Sequence, residues 1–192
     1  MNVYVDYPED WIGVPQFGPA EQFPDAAQWA AALADELLVE FGVRAAREER
    51  ASLVSALTIL GEGTRRRGAT ASYIHYPSYG APLELVDTVL LDRSVVGDAP
   101  AHEVAGALEP DLLAAPTVTP LTTRRGLTGA LVVRHAPMDA EAPHIVTLRA
   151  SCALDVGDGW FVLGTATTDL PAFEAFRAHF LELADSVYVT AD

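Results

Sequence analysis

Between Pro24 and Gly42 the apolar residues Trp29, Leu33, Leu37 and Phe41 recur at four-residue steps, with Ala30, Ala34 and Leu38 beside them. That stripe predicts an amphipathic helix, and Asp35, Glu36 and Glu40 lie largely off it. Asp25 stands at its N-cap, Gln28 completes a capping-box pattern, and Gly42 supplies a stop. A second helix is expected over "RAAREERASLVSALTIL". Its first half is charged, its second half is apolar through Leu53, Val54, Leu57 and Leu60, and Gly61 follows as a cap. After Gly68 the periodicity changes to that of strands. "ATASYIHYP" and "LELVDTVLLDR" are two strand candidates, and a short helix is expected at "APAHEVAGALEP" between Pro100 and Pro110. "TVTPLTTRRGLTGALVVRHAP" reads as a hairpin turning near Arg125 and Gly126. In "HIVTLRASCALDV" the residues Val146, Leu148, Ala150, Cys152, Leu154 and Val156 alternate with Thr147, Arg149, Ser151 and Asp155, and "GDG" then turns into "WFVLGTATT". A last helix starts near Asp169 with Pro171 in its first turn. Phe173, Phe176, Phe180, Leu183 and Val187 form its apolar face, and Glu174, Arg177, Glu182 and Asp185 lie outside that face.

Helices, then strands joined by short turns, then a helix: that order predicts an α+β fold with an antiparallel sheet of about six strands covered by helices. Residues 1–192 are read as a single domain. It comprises an extended Pro-rich arm over 1–24, helices over 25–60, mostly strands over 69–168 and a helix over 170–187. The arm carries Pro8, Pro15, Pro19 and Pro24, and its aromatic anchors are Trp11 and Phe17; "VYVDY" within it alternates like a short strand.

Composition narrows the partners. Half of the 192 residues are hydrophobic, and a chain of this length buries roughly 70% of its unfolded surface, so a core needs no metal or disulfide. The net charge is −15, and all 12 basic residues are Arg, none of them before Arg44. Such a chain repels nucleic-acid phosphates and anionic membrane surfaces. A basic partner could be drawn to the acidic N-terminal part, although a solvated face accounts for the same charges. Cys152 is the single cysteine. "MNVYVDYPEDW" lacks the regions of a secretory signal, and no apolar run is long enough to span a bilayer. A cytoplasmic location is therefore expected.

"GEGTRRRG", Gly61 to Gly68, resembles a phosphate loop in composition only. A Walker loop ends in Gly-Lys-Ser/Thr and there is no Lys here, and a dinucleotide loop opens a helix rather than closing one. Arg65, Arg66 and Arg67 are candidate anion ligands, or simply solvated cations; Arg124 and Arg125 form a second basic pair. "HEVAG" at His102 places Gly106 where a zinc protease has its second histidine. His135 and His144 flank a loop with Asp139 and Glu141, a donor set for a metal or an ordinary surface loop. Tyr73, His75 and Tyr76 line either a ligand groove or a plain strand edge. Cys152 falls on the apolar face of its strand, a core position. No constellation has the spacing of a known chemistry, so no enzyme, cofactor or metal is expected.

"WIGVP", then "FPDAAQWAAALADEL", an Arg/Glu-rich helix, strands and "GWFVLGTATTDLPAFEAFRAHFLELADSV" resemble an uncharacterised family of actinobacterial proteins. Some members of it accompany type VII (ESX-like) secretion components. From Leu83 to Val187 the strands "LELVDTVLLDR", "GLTGALVVR" and "GWFVLGTATTD", the helix "APAHEVAGAL" and the Phe-rich terminal helix resemble the PsbP/Mog-like fold. That resemblance implies a twisted antiparallel sheet between helices, and a protein that acts as an adaptor, chaperone or assembly factor without catalytic machinery. The expected function is a non-enzymatic protein-interaction module or a self-associating one; Trp11, Phe17 and Trp29 are the first candidates for partner contacts, although packing against their own domain accounts better for each. The alternative is a small-molecule binding protein or enzyme using a groove on the sheet.

Overall fold

The computed structural model describes residues 2–110, 112–138, 142 and 144–190, and the backbone but not the side chain of Arg65. The chain divides into two compact units, Met1–Pro8 with Val86–Asp192, and Glu9–Leu85. The first unit is closed by a contact between its two ends that no local pattern announces.

In the unit Glu9–Leu85, strand β2 (Trp11–Val14) pairs antiparallel with β3 (Ala71–His75), and helices α1 (Ala26–Glu40) and α2 (Arg47–Arg66) lie between them in sequence. The N-cap is as expected: the Gln28 N–H donates to Asp25 Oδ1 at 2.8 Å. At the start of α2 the Glu49 carboxylate reaches back to accept from the Ala46 N–H at 2.7 Å, satisfying a donor the helix itself cannot. Trp29, Ala30, Ala34 and Leu37 of α1 pack with Leu53 and Leu57 of α2 and with Val14, Ile74 and Tyr76. This unit therefore has a core of its own.

Two expectations fail here for physical reasons. The N-terminal segment is no arm, because Trp11–Val14 is a strand. And α2 does not stop at Gly61; it runs through Gly63 to Arg66, with the left-handed glycine at Gly68 (φ +70°). Gly61 is there for space. A Cβ on it would stand 3.1 Å from Ala26 Cβ, 3.1 Å from Trp29 Cζ3 and 3.3 Å from Phe17 Cζ. The small residue lets α2 approach α1 closely.

The other unit holds five antiparallel strands in the order β4-β8-β7-β6-β5. They are β4 (Glu84–Asp92, which begins two residues before this unit), β5 (Thr117–Thr122), β6 (Thr128–Pro137), β7 (Val146–Asp155) and β8 (Gly159–Thr167). A separate pair joins β1 (Asn2–Val5) to β9 (Val187–Thr190), with Tyr4 opposite Tyr188 and their rings stacked at 5.4 Å. The fold class is as expected, α+β with a large antiparallel sheet and helices. The terminal helix α5 (Leu170–Asp185) is capped by Asp169, which accepts from the Ala172 N–H at 3.0 Å. It ends before Val187, which opens β9 instead.

Register separates the two faces of this sheet, since directly paired residues point the same way. One face carries Leu131, Leu148, Cys152 and Leu163, and α5 packs against β7 and β8 with Phe173, Phe176, Phe180 and Leu183 buried. The opposite face carries Val132, Ala153, Trp160 and Val162. It is covered by two single-turn helices, α3 (Arg93–Val96) and α4 (Ala101–Val104), through Val96, Ala101, Val104, Ala105 and Ala107. Burial accounts for Cys152. Its thiol is pushed up to about 12 by desolvation, so it stays protonated and inert as a core residue should.

Candidate functional site

The segment carrying α3 and α4 is pinned at both ends. At the first end, Asp92 accepts hydrogen bonds from the Ser94 hydroxyl and, at 2.7 Å, from the Ser94 N–H, and these hold its carboxyl below the usual carboxylate range. Arg93 next to it bridges to Asp155 at 2.7 Å, donates to the Gly157 carbonyl at 3.1 Å and lies over the Trp160 ring at 5.3 Å. At the second end is a buried guanidinium. Arg134 of β6 is only 7% exposed. It donates Nε and Nη2 to the two Glu109 oxygens at 3.0 and 2.6 Å, and Nη1 to the Ala105 carbonyl at 2.8 Å and to Ser151 Oγ at 3.2 Å. This bidentate pair is the strong form of an ion pair, and the extra acceptors are what a desolvated charge requires. Arg149 stands directly opposite Arg134 in the register, with Nη1 3.8 Å from Glu109. One carboxylate thus offsets two like charges. Gly106 completes the arrangement. Its φ is +87°, and a Cβ there would come within 2.7 Å of both Arg134 Nη1 and Glu109 Oε1.

Between these anchors Leu91, Val96, Ala99, Val104 and Leu108 wall a groove of about 540 Å³, with Glu103 and Glu109 on its polar side. Leu108 of this wall remains in water at 70% exposed, as does Val95 of α3, outside the wall, at 78%. Glu103 is exposed too, and Glu109 is already engaged by Arg134. The groove can therefore take apolar groups, and Glu103 can receive a cation beside them.

The residues singled out from sequence do not line this groove. Tyr73, His75 and Tyr76 are buried, not arrayed along an open groove. His75 Nε2 is 2.9 Å from an Asp10 carboxylate oxygen, and its ring lies 5.1 Å from that of Trp11. Tyr76 accepts from the Gly80 N–H through its hydroxyl at 3.1 Å and meets Phe41 edge-on. Trp11 and Trp29, proposed as partner contacts, are 3% and 4% exposed. Phe17 packs on Trp29 at 5.8 Å. Aromatic weight in an apparently irregular segment marked core, not surface. Of the arginine run, the Arg65 side chain lies outside the described residues. Arg66 is exposed, 3.6 Å from Glu62, and borders a cleft of about 550 Å³ with Phe17, Pro19, Pro24 and Asp25. Arg67 reaches Thr64 Oγ1 at 3.4 Å. Arg124 and Arg125 pair within their own unit. Arg124 is held by Asp185 at 2.8 Å; Arg125 by Asp6 at 3.2 Å and the Tyr188 ring at 4.5 Å. Asp139 and Glu141 lie outside the described residues; His144 is exposed, and His135 lines a cavity beside α5.

No family model matches the chain, and no curated protein matches it either. Two solved structures are similar over 98% of its length. One is LpqN, described as involved in cell envelope biogenesis of Mycobacterium tuberculosis, at 10% identity and a TM-score of 0.47 over 83% of that chain. The other is cyanobacterial PsbP (CyanoP) from Synechocystis sp. PCC 6803, at 11% identity and a TM-score of 0.43 over 92% of that chain. At these scores neither likeness carries an argument, and the fold class rests on the strand register. No helix among the described residues is long and apolar enough to cross a membrane.

Proposed function

We propose that the chain is a non-enzymatic protein-interaction module that receives a segment of a partner protein in the α3–α4 groove. The observation that carries this reading is an exposed apolar groove on a rigid support. Leu108 and Val95 stand in water, while the segment that bears them is fixed by Arg93 at one end and the Arg134–Glu109 pair at the other. A pre-ordered groove loses little entropy on binding. The partner segment carries apolar anchors and at least one Lys or Arg. The charge of −15 steers basic partners toward the chain at long range, and Glu103 sits beside the apolar wall to meet the cation. An adaptor or chaperone beside a secretion apparatus is the form of such a module that the sequence resemblance implies.

Selection from a displayed library of random peptides tests the proposal. The expected winners are apolar peptides with a basic residue, whose binding is lost in Leu108→Asp while the variant keeps its fold. Enrichment of acidic peptides, or binding that ignores Leu108→Asp, would contradict it.

A further inference from the structure

A second cavity, on the α5 face of the five-stranded sheet, has a different chemistry. Its volume is about 410 Å³, at the small end of ligand cavities. Val133, Leu148, Leu170, Pro171 and Phe173 form its apolar wall, and Thr117, His135, Glu174 and Arg177 bring polar groups to it. Register explains why four of these meet. Thr117 pairs with Val133, and His135 with Leu148, so all four point to the α5 side.

Arg177 is the unusual member. Glu174, Arg177, Glu182 and Asp185 together looked from sequence like the wet side of the last helix. Yet Arg177 is half-buried, and its Nε is fully enclosed with no hydrogen-bond acceptor among the described residues. Arg134 of the same unit, which is buried, satisfies its guanidinium with a carboxylate, a carbonyl and a hydroxyl. The enclosed Nε is beyond a ligand's reach, so the Nη end of the guanidinium is what Arg177 can offer to the cavity. A guanidinium matches a carboxylate in a two-pronged geometry.

We infer that this cavity binds a small monocarboxylate with an apolar body. The carboxylate takes Arg177, the His135 imidazole and the Thr117 hydroxyl offer further hydrogen bonds, and the hydrocarbon lies against Val133, Leu148 and Phe173. Glu174 is exposed at the same cavity and disfavours a second negative charge on the ligand. The site is separate from the α3–α4 groove, so it stands or falls independently of the interaction reading.

Titration of the isotope-labelled full chain with octanoate, followed by amide chemical shifts, tests this. Shifts are expected at Thr117, Val133, His135 and Phe173. Octanamide, which has the same shape without the charge, should bind at least about tenfold more weakly, as loss of a charged hydrogen bond implies. Arg177→Met should weaken octanoate by a similar factor, and Leu170→Trp should block the cavity with the charge intact. Glu174→Gln should tighten binding. Circular dichroism checks that each variant is folded. The inference is overturned if octanoate produces no shifts, if the shifts map elsewhere, or if octanamide binds as well as octanoate.

Discussion

Glu109 shows how much one side chain can organise. It neutralises Arg134, lies close to Arg149, and thereby ties the loop after α4 to the sheet. Glu109→Gln keeps the shape but leaves a guanidinium that is 8% exposed without its counter-charge. The expected loss in a urea melt is about 2 kcal/mol, below the 3–5 kcal/mol for fully buried pairs because the carboxylate is partly hydrated. Arg134→Met combined with Glu109→Met removes both charges and should cost less than Glu109→Gln alone. An equal or larger loss in the double variant would mean that the pair itself, and not the stranded charge, carries the stability. Nothing in the sequence foretold this pair. Arg134 sits 25 residues from Glu109, and strand alternation assigns a charged position to solvent. The helix cap at Asp25 was legible because donor and acceptor are three residues apart.

Elements with strong local periodicity were read correctly, and those that depend on distant partners were not. The stripe of α1 and the hairpin of β5 and β6 are carried by their own residues. Strand β1 shows in the alternation of "VYVDY", whereas β9, "VYVT", begins at a residue that the helical period claims for α5, and it becomes a strand by pairing with β1. Helix α2 overran its expected end because Gly61 answers to a neighbouring helix and not to a cap. Between α1 and α2, Arg50 meets Asp35 through two hydrogen bonds of 2.6 and 2.8 Å, and these hold the Asp35 carboxyl below its ordinary 3.8. A carboxyl depressed in the folded state contributes stability above its unfolded pKa and loses it as pH falls through the folded value. The link between the helices should therefore persist at neutral pH and weaken only in strong acid. A carboxyl titration by NMR should place Asp35 below 3.8 and move it upward in Arg50→Gln; an unmoved value would remove Arg50 as the cause.

Strand β5 ends the sheet order, and an edge strand invites pairing with another chain. The Thr123 N–H donates to the Leu127 carbonyl at 2.9 Å. Counting back along the register, Pro120 opposite Ala130 falls at a position whose nitrogen points away from β6. Proline is tolerated there and deletes an outward donor. Pro120→Thr restores the donor on an exposed edge strand that also carries Val118 in water. Light scattering should then show an average mass that rises with concentration relative to the parent protein. An unchanged mass would mean that the proline does not guard this edge.

At the scale of the whole molecule, the fold class was legible and the functional surface was not. Helices, hairpins and their order establish α+β, but local patterns do not say which strands become neighbours, and each site described is made by that choice. The α3–α4 groove needs β4, β8, β7 and β6 side by side, and the α5 cavity needs the register of β5, β6 and β7. The aromatic residues that looked like contacts for a partner, Trp11 and Trp29, are drawn into the interior. The surface offered instead is aliphatic and acidic.

The central claim, docking of a basic apolar segment in the α3–α4 groove, is tested most directly by reversing one charge. Peptides selected on the parent protein are titrated against Glu103→Arg, each beside a partner peptide whose basic residue is changed to glutamate. The expected result is an exchange of preference, the basic peptide losing affinity and the acidic one gaining it. The same rank order on both proteins would contradict the claim.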